Sequence, residues 1–167
     1  MKRLVMVLGA LLLAASAEAG LEVRAFTVTG TPDGVISYGY RVRLVSGRLD
    51  PASPVSQHVT LYDIPDFIPG SASGTPGWTA TEHARGVDAD DVPLRNRDDA
   101  PRHMNITFEW TGPDVIVAPA ELGSISFSVT DAPPSGATVL YVGQCTAGSG
   151  AVRPVAVVGR VSGPGAP

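Results

Sequence analysis

The sequence predicts an all-β fold, an antiparallel β-sandwich of about eight or nine strands, with a β-barrel as the alternative closure. Three observations lead there. Apolar residues recur with a period of two in segment after segment, turn-forming residues punctuate the chain at short intervals, and no stretch between them is long enough for a useful helix. Period two places alternate side chains on opposite sheet faces, the signature of strands that bury one side.

The clearest strand is Ile36, Tyr38, Tyr40, Val42 and Leu44 alternating with Ser37, Gly39, Arg41 and Arg43. Ile106, Phe108 and Trp110 alternate with Asn105, Thr107, Glu109 and Thr111, and Ile125, Phe127 and Val129 alternate with Ser124, Ser126 and Ser128. Further strands are expected over Leu21 to Thr29, His58 to Asp63, Trp78 to His83, Val115 to Ala118, Thr138 to Gln144 and Val152 to Val161, all rich in Val, Thr or aromatics. Pro154 has no N–H to give a ladder, so the last segment is an edge strand or starts only after that proline. Turn signals separate these runs: Thr31-Pro32-Asp33-Gly34, Asp50-Pro51, Gly70-Ser71-Ala72-Ser73-Gly74, Thr111-Gly112-Pro113-Asp114 and Pro133-Pro134-Ser135-Gly136. Residues 86–102 carry five aspartates and three arginines with only scattered apolar residues and read as a long charged loop.

Residues 1–19 carry Lys2 and Arg3, an apolar run from Leu4 to Ala15, and small residues through Ala19, the pattern of a cleaved secretory leader. The run is shorter than the roughly 20 residues of a membrane span, and no later stretch reaches that length. The expected mature domain is residues 20–162, with 163–167 a disordered tail, and the expected location is secreted or periplasmic. Without the leader the chain keeps ten arginines, no lysine and 15 carboxylates, a formal charge of −5. That balance excludes a nucleic-acid partner, which needs a basic face. Cys145 is the only cysteine, so no intrachain disulfide forms, and it is expected as a small buried apolar residue.

Motifs for catalysis are weak. The string Gly70 to Gly74 fails as a nucleophile elbow because its middle residue is Ala72. His58, His83 and His103 stand on separate segments with no local signature for nucleophilic or zinc chemistry. A blue-copper site is excluded because neither His nor Met follows Cys145. Asp88, Asp90 and Asp91 offer close carboxylates for a calcium ion, without EF-hand spacing, and nearby arginines favour a solvated loop instead. Asp63 and Asp66 flank Ile64-Pro65, where a turn-capping role outweighs an acid/base pair. Tyr62 and Trp78 are the candidate sugar-stacking rings: Tyr62 lies opposite the Val59 and Leu61 face, and Trp78 follows a Thr-Pro-Gly turn. Burial in the core is the competing expectation for both.

The strings Tyr38-Gly39-Tyr40-Arg41-Val42, Val59-Thr60-Leu61-Tyr62-Asp63-Ile64-Pro65-Asp66-Phe67, Gly77-Trp78-Thr79-Ala80, Asn105-Ile106-Thr107-Phe108-Glu109-Trp110-Thr111-Gly112-Pro113 and Leu122-Gly123 come in an order that resembles secreted bacterial proteins of the PEP-CTERM type. The resemblance spans roughly residues 36 to 130. The family's Pro-Glu-Pro sorting segment is not in this sequence. The resemblance implies a β-rich exported module of the envelope or extracellular matrix, with envelope proteins or extracellular polysaccharide as partners, and no catalytic residues. The expected function is a non-catalytic binding or structural module; a carbohydrate-binding module and a metal-dependent or carbohydrate-active enzyme are the alternatives. No cofactor is expected apart from the calcium reading of the acidic loop.

Overall fold

The structure, a computed structural model, describes residues 20–84, 103–131, 136–148 and 152–164. Among these residues there is no helix, and eleven strands run in order: β1 (Leu21–Gly30), β2 (Ile36–Leu44), β3 (Arg48–Leu49), β4 (His58–Ile64), β5 (Ser73–Gly74), β6 (Trp78–His83), β7 (Met104–Trp110), β8 (Ile116–Val117), β9 (Ala120–Val129), β10 (Thr138–Thr146) and β11 (Pro154–Ser162). They form two antiparallel sheets, one ordered β1-β2-β9-β5, the other β6-β7-β4-β10-β3-β8 with β11 on the remaining side of β10. Neither sheet closes on itself, so the fold is a β-sandwich. The sheet edges meet at both sides, β1 against β11 and β5 against β6.

The inward rows follow the period-two reading. Tyr38, Tyr40, Val42 and Leu44 of β2 and Leu122, Ile125, Phe127 and Val129 of β9 face Val59, Leu61, Ile106, Phe108, Val139 and Tyr141 of the other sheet. Phe127 stands at the centre, stacked on Tyr38 and Tyr40 at centroid distances of 5.7 and 5.8 Å and tilted against Phe67 at 6.3 Å. Each such pair adds about 0.5–1.5 kcal/mol beyond the area it buries. Cys145 is fully buried, as expected, with its thiol against the Ser46 carbonyl at 3.6 Å.

Differences from expectation lie at the margins. Val115 to Ala118 shrinks to the two residues of β8, and β3 and β5 were not expected as strands; β5 lies inside what reads as the Gly70 to Gly74 turn. Two-residue strands carry too little alternation to show a period. The last strand starts at Pro154 and pairs only with β10, which places the proline at an edge as its missing N–H requires. The tail was expected to be disordered from residue 163. Gly163 and Pro164 are instead buried, the Gly163 N–H donating to Ala137 O at 3.1 Å with its Cα close to the Tyr40 hydroxyl. Glycine has no side chain to obstruct that approach, and composition alone could not foresee it. Residues 165–167 fall outside the described residues.

Candidate functional site

Around β4 and β10 the second sheet is buried on its outward face as well as its inward one. His58 and Thr60 of β4, Thr107 of β7 and Gln144 of β10 point away from the core yet are buried. Thr60 and Thr107 hydroxyls share a hydrogen bond of 3.0 Å, and the Gln144 amide donates to Ser56 O at 2.9 Å. Buried polar groups need such partners, since an unmade bond costs about 1–3 kcal/mol.

This row ends at a loop, residues 50–57, that joins β3 to β4. Asp50 organises it. Its carboxylate accepts from Ala52 N at 2.9 Å and from the Arg48 guanidinium, which together hold the carboxyl below its ordinary range, the backbone bond contributing most. Gln57 closes the loop from the other end: its amide oxygen accepts from Asp50 N at 2.7 Å and its amide nitrogen donates to Asp50 O at 2.9 Å. Pro51 and Pro54 stiffen the span between by fixing φ. Trp110 N donates to Gln57 O at 2.8 Å and ties the loop to the end of β7.

Between this loop and β7 lies an open cavity of about 240 Å³, bordered by Asp50, Pro54, Val55, Ser56, Glu109 and Trp110. Ser56 Oγ is 3.2 Å from His58 Nδ1 and 3.5 Å from Glu109 Oε1. A serine relay sets the imidazole between hydroxyl and carboxylate. Here the hydroxyl stands in the middle, so Ser56 and Glu109 on the cavity wall and the buried His58 form a polar chain in a different order from that relay.

Trp110 is held from two sides. Gly77 adopts φ 101°, and a Cβ there or at Gly112 would overlap the indole ring. Trp78 meets the same ring edge to face.

The residues singled out from sequence scatter. Tyr62 and Trp78 were the candidate stacking rings, and both are corrected: they are 2% and 7% exposed. Tyr62 does lie opposite Val59 and Leu61, but that face is covered at this point, and the ring joins Val142, Leu140 and Ala156 in a small apolar cluster. Trp78 turns inward and its indole N–H donates to Leu122 O at 2.8 Å. Asp66 sits in the tight turn after β4 with φ 50°, whereas Asp63, the residue expected to cap that turn, lies within β4 at its register shift, with φ 55°. His58 pairs with Glu109 at one end of β7, whereas His83 pairs with Asn105 near the other, two residues from His103. Among the described residues no three His, Cys, Asp or Glu side chains come together as metal ligands. Asp88, Asp90 and Asp91 lie outside the described residues.

The cavity residues were not singled out from sequence. Asp50-Pro51 reads only as a turn, and Trp110 and Glu109 read as one inward and one outward strand position. Their convergence depends on how the 50–57 loop folds over the strand end, which no local spacing encodes. No family model matches the chain, and no curated protein and no solved structure matches it.

Proposed function

We propose that the chain is an exported, non-catalytic module of the bacterial envelope or extracellular matrix, and that the cavity beneath the 50–57 loop binds one unit of an uncharged polar polymer, a sugar residue of matrix polysaccharide. The cavity itself carries the reading. Its volume of about 240 Å³ suits a single small ring, being less than the 300 Å³ or more of sites for larger ligands. Glu109 supplies an exposed carboxylate acceptor for hydroxyl groups and Trp110 an aromatic wall. The loop's own polar groups are bonded to one another, which preorganises the site and lowers the entropy lost on binding. The leader-like residues 1–19 and the resemblance to secreted PEP-CTERM proteins support the export half of the reading.

Affinity electrophoresis through gels containing neutral bacterial polysaccharides tests it. Retardation is expected for the parent chain and is expected to fall for Glu109→Ala, which removes an exposed side chain and leaves the fold intact. Equal mobility in all gels, or retardation unchanged by Glu109→Ala, refutes the binding site. Mass spectrometry of the exported product, expected to start at residue 18 or 20, tests export separately.

A further inference from the structure

We propose that a second copy of this chain pairs with the exposed C-terminal half of the β1 edge, antiparallel and symmetric about Val28, so that two four-stranded sheets join into one of eight strands. The inference concerns a different face from the cavity and does not depend on it.

Among the described strands, β1 is the long edge whose C-terminal half, Ala25 to Gly30, carries neither charge nor proline; its charges, Glu22 and Arg24, lie in the half beside β11, and a bulge at Phe26 is its one other interruption. β5, β3 and β8 have two residues each, β6 carries Glu82, and β11 begins with Pro154 and bears an exposed Arg160. The β1 segment from Ala25 to Gly30 has no charge and no proline, and all six residues are exposed. It also shows apolar surface: Phe26 is 53% and Val28 60% exposed. Val28 pairs with Tyr38, so it stands on the core-facing side, at an end where the opposite sheet leaves it uncovered. Phe26 sits at the register shift between Ala25 and Thr27, with the Arg41 guanidinium 4.0 Å above its ring. That cation–π contact fixes the ring on the outward side. Both faces of this strand end therefore present apolar side chains in set positions.

The segment is complementary to itself in one register. Centred on Val28, an antiparallel pair sets Val28 against Val28 of the second copy and Thr27 against Thr29 twice, a match the molecule already makes internally between the directly opposed Thr60 and Thr107. Phe26 falls opposite Gly30, where a large ring covers a residue with no side chain. At each end Arg24, whose side chain is 65% exposed, comes alongside the exposed turn 31–34 of the other copy, which carries Asp33. At both ends Asp33 approaches an Arg24 that is already paired with Glu22 of its own strand at 2.9 Å, with Glu22 opposite Gly34 in this register.

Sedimentation equilibrium of the purified protein over a concentration series is expected to show monomer and dimer in exchange. Val28→Lys sets two ammonium groups on the symmetry axis and is expected to weaken association by about tenfold or more. Val28→Thr, which keeps the β-branch, is expected to retain it, and both variants should give the parent's circular dichroism spectrum because the site is exposed. Arg24→Asp is expected to weaken the dimer at low salt, and addition of Asp33→Arg to restore it. A protein that stays monomeric up to its solubility limit overturns the proposal. So does a dimer indifferent to Val28→Lys, since that dimer uses another surface.

Discussion

Trp78 and Trp110, directly opposite each other at the start of the β6–β7 pairing, meet edge to face with ring centroids 5.4 Å apart and planes at 75°. The Trp78 indole N–H reaches across to Leu122 O of the other sheet. The pair thus joins the two layers of the sandwich, and Trp110 forms one wall of the cavity. Gly77 packs on the Trp110 ring in a conformation that side chains rarely adopt. Gly77→Ala is expected to destabilise the fold by about 2–4 kcal/mol, combining backbone strain with overpacking against the indole. Urea unfolding followed by tryptophan fluorescence measures it, and a loss below about 0.5 kcal/mol, the usual range of a surface change, contradicts the packing argument.

Tyr40 is fully buried, and its hydroxyl has no hydrogen-bond partner among the described residues. Burial pushes its ionisation well above the ordinary tyrosine value. Its ring is needed for the stack on Phe127; its oxygen is not. Tyr40→Phe is therefore expected to leave stability unchanged or raise it by up to about 1 kcal/mol, because a polar atom that loses its water without a partner opposes folding. Tyr40→Ala, which empties the site, is expected to cost about 3–5 kcal/mol. Thermal unfolding of the two variants checks the contrast, and a large loss for Tyr40→Phe disproves the account of the hydroxyl.

The sandwich was legible because its long strands alternate cleanly: Tyr38, Tyr40 and Val42 face inward as their spacing requires, and so do Ile125, Phe127 and Val129. The site was not. Sequence alternation assigned Tyr62 to the correct face, but the step from outward-pointing to exposed failed, since alternation says which way a side chain points and nothing of what lies over it. Trp78 failed for a different reason. A ring after a Thr-Pro-Gly turn is equally compatible with solvent and core, and its contact with Leu122 O spans 44 positions of sequence. The cavity draws on both ends of the 50–57 loop and on β7, a long-range juxtaposition that neither motif nor period records.

Gln57 ties the two ends of that loop through both atoms of its amide and is almost wholly buried. Replacing it by alanine strips the Asp50 backbone N–H and C=O of their partners at once. Gln57→Ala is expected to cost about 1–3 kcal/mol in urea unfolding and to weaken polysaccharide retention even where the fold survives. Gln57→Glu keeps the acceptor for Asp50 N but loses the donor to Asp50 O, so its loss should be intermediate at neutral pH. A variant that unfolds like the parent and binds like it shows that the loop needs no such clasp.

Cys145 gives the alkaline behaviour its sign. Burial raises its thiol from an ordinary 9.0 to about 11, only partly offset by a backbone hydrogen bond from Arg48. A folded-state value above the unfolded one means that the native chain holds its proton longer. The associated stability is present in full below pH 9 and is lost as pH rises through 11, a total of about 2–3 kcal/mol. Tyr38 and Tyr40 are also held protonated by burial, but from an ordinary value of 10.0 upward, so the window between pH 9 and 10 belongs mainly to the thiol. Urea unfolding under reducing conditions at intervals across that window is expected to show the parent's stability falling and that of Cys145→Ala remaining nearly flat. The substitution also removes packing, so the two curves start from different heights at neutral pH, and only their slopes carry the test. Parallel slopes would mean that the thiol ionises no later in the folded chain than in the unfolded one, which is incompatible with its enclosure between the sheets.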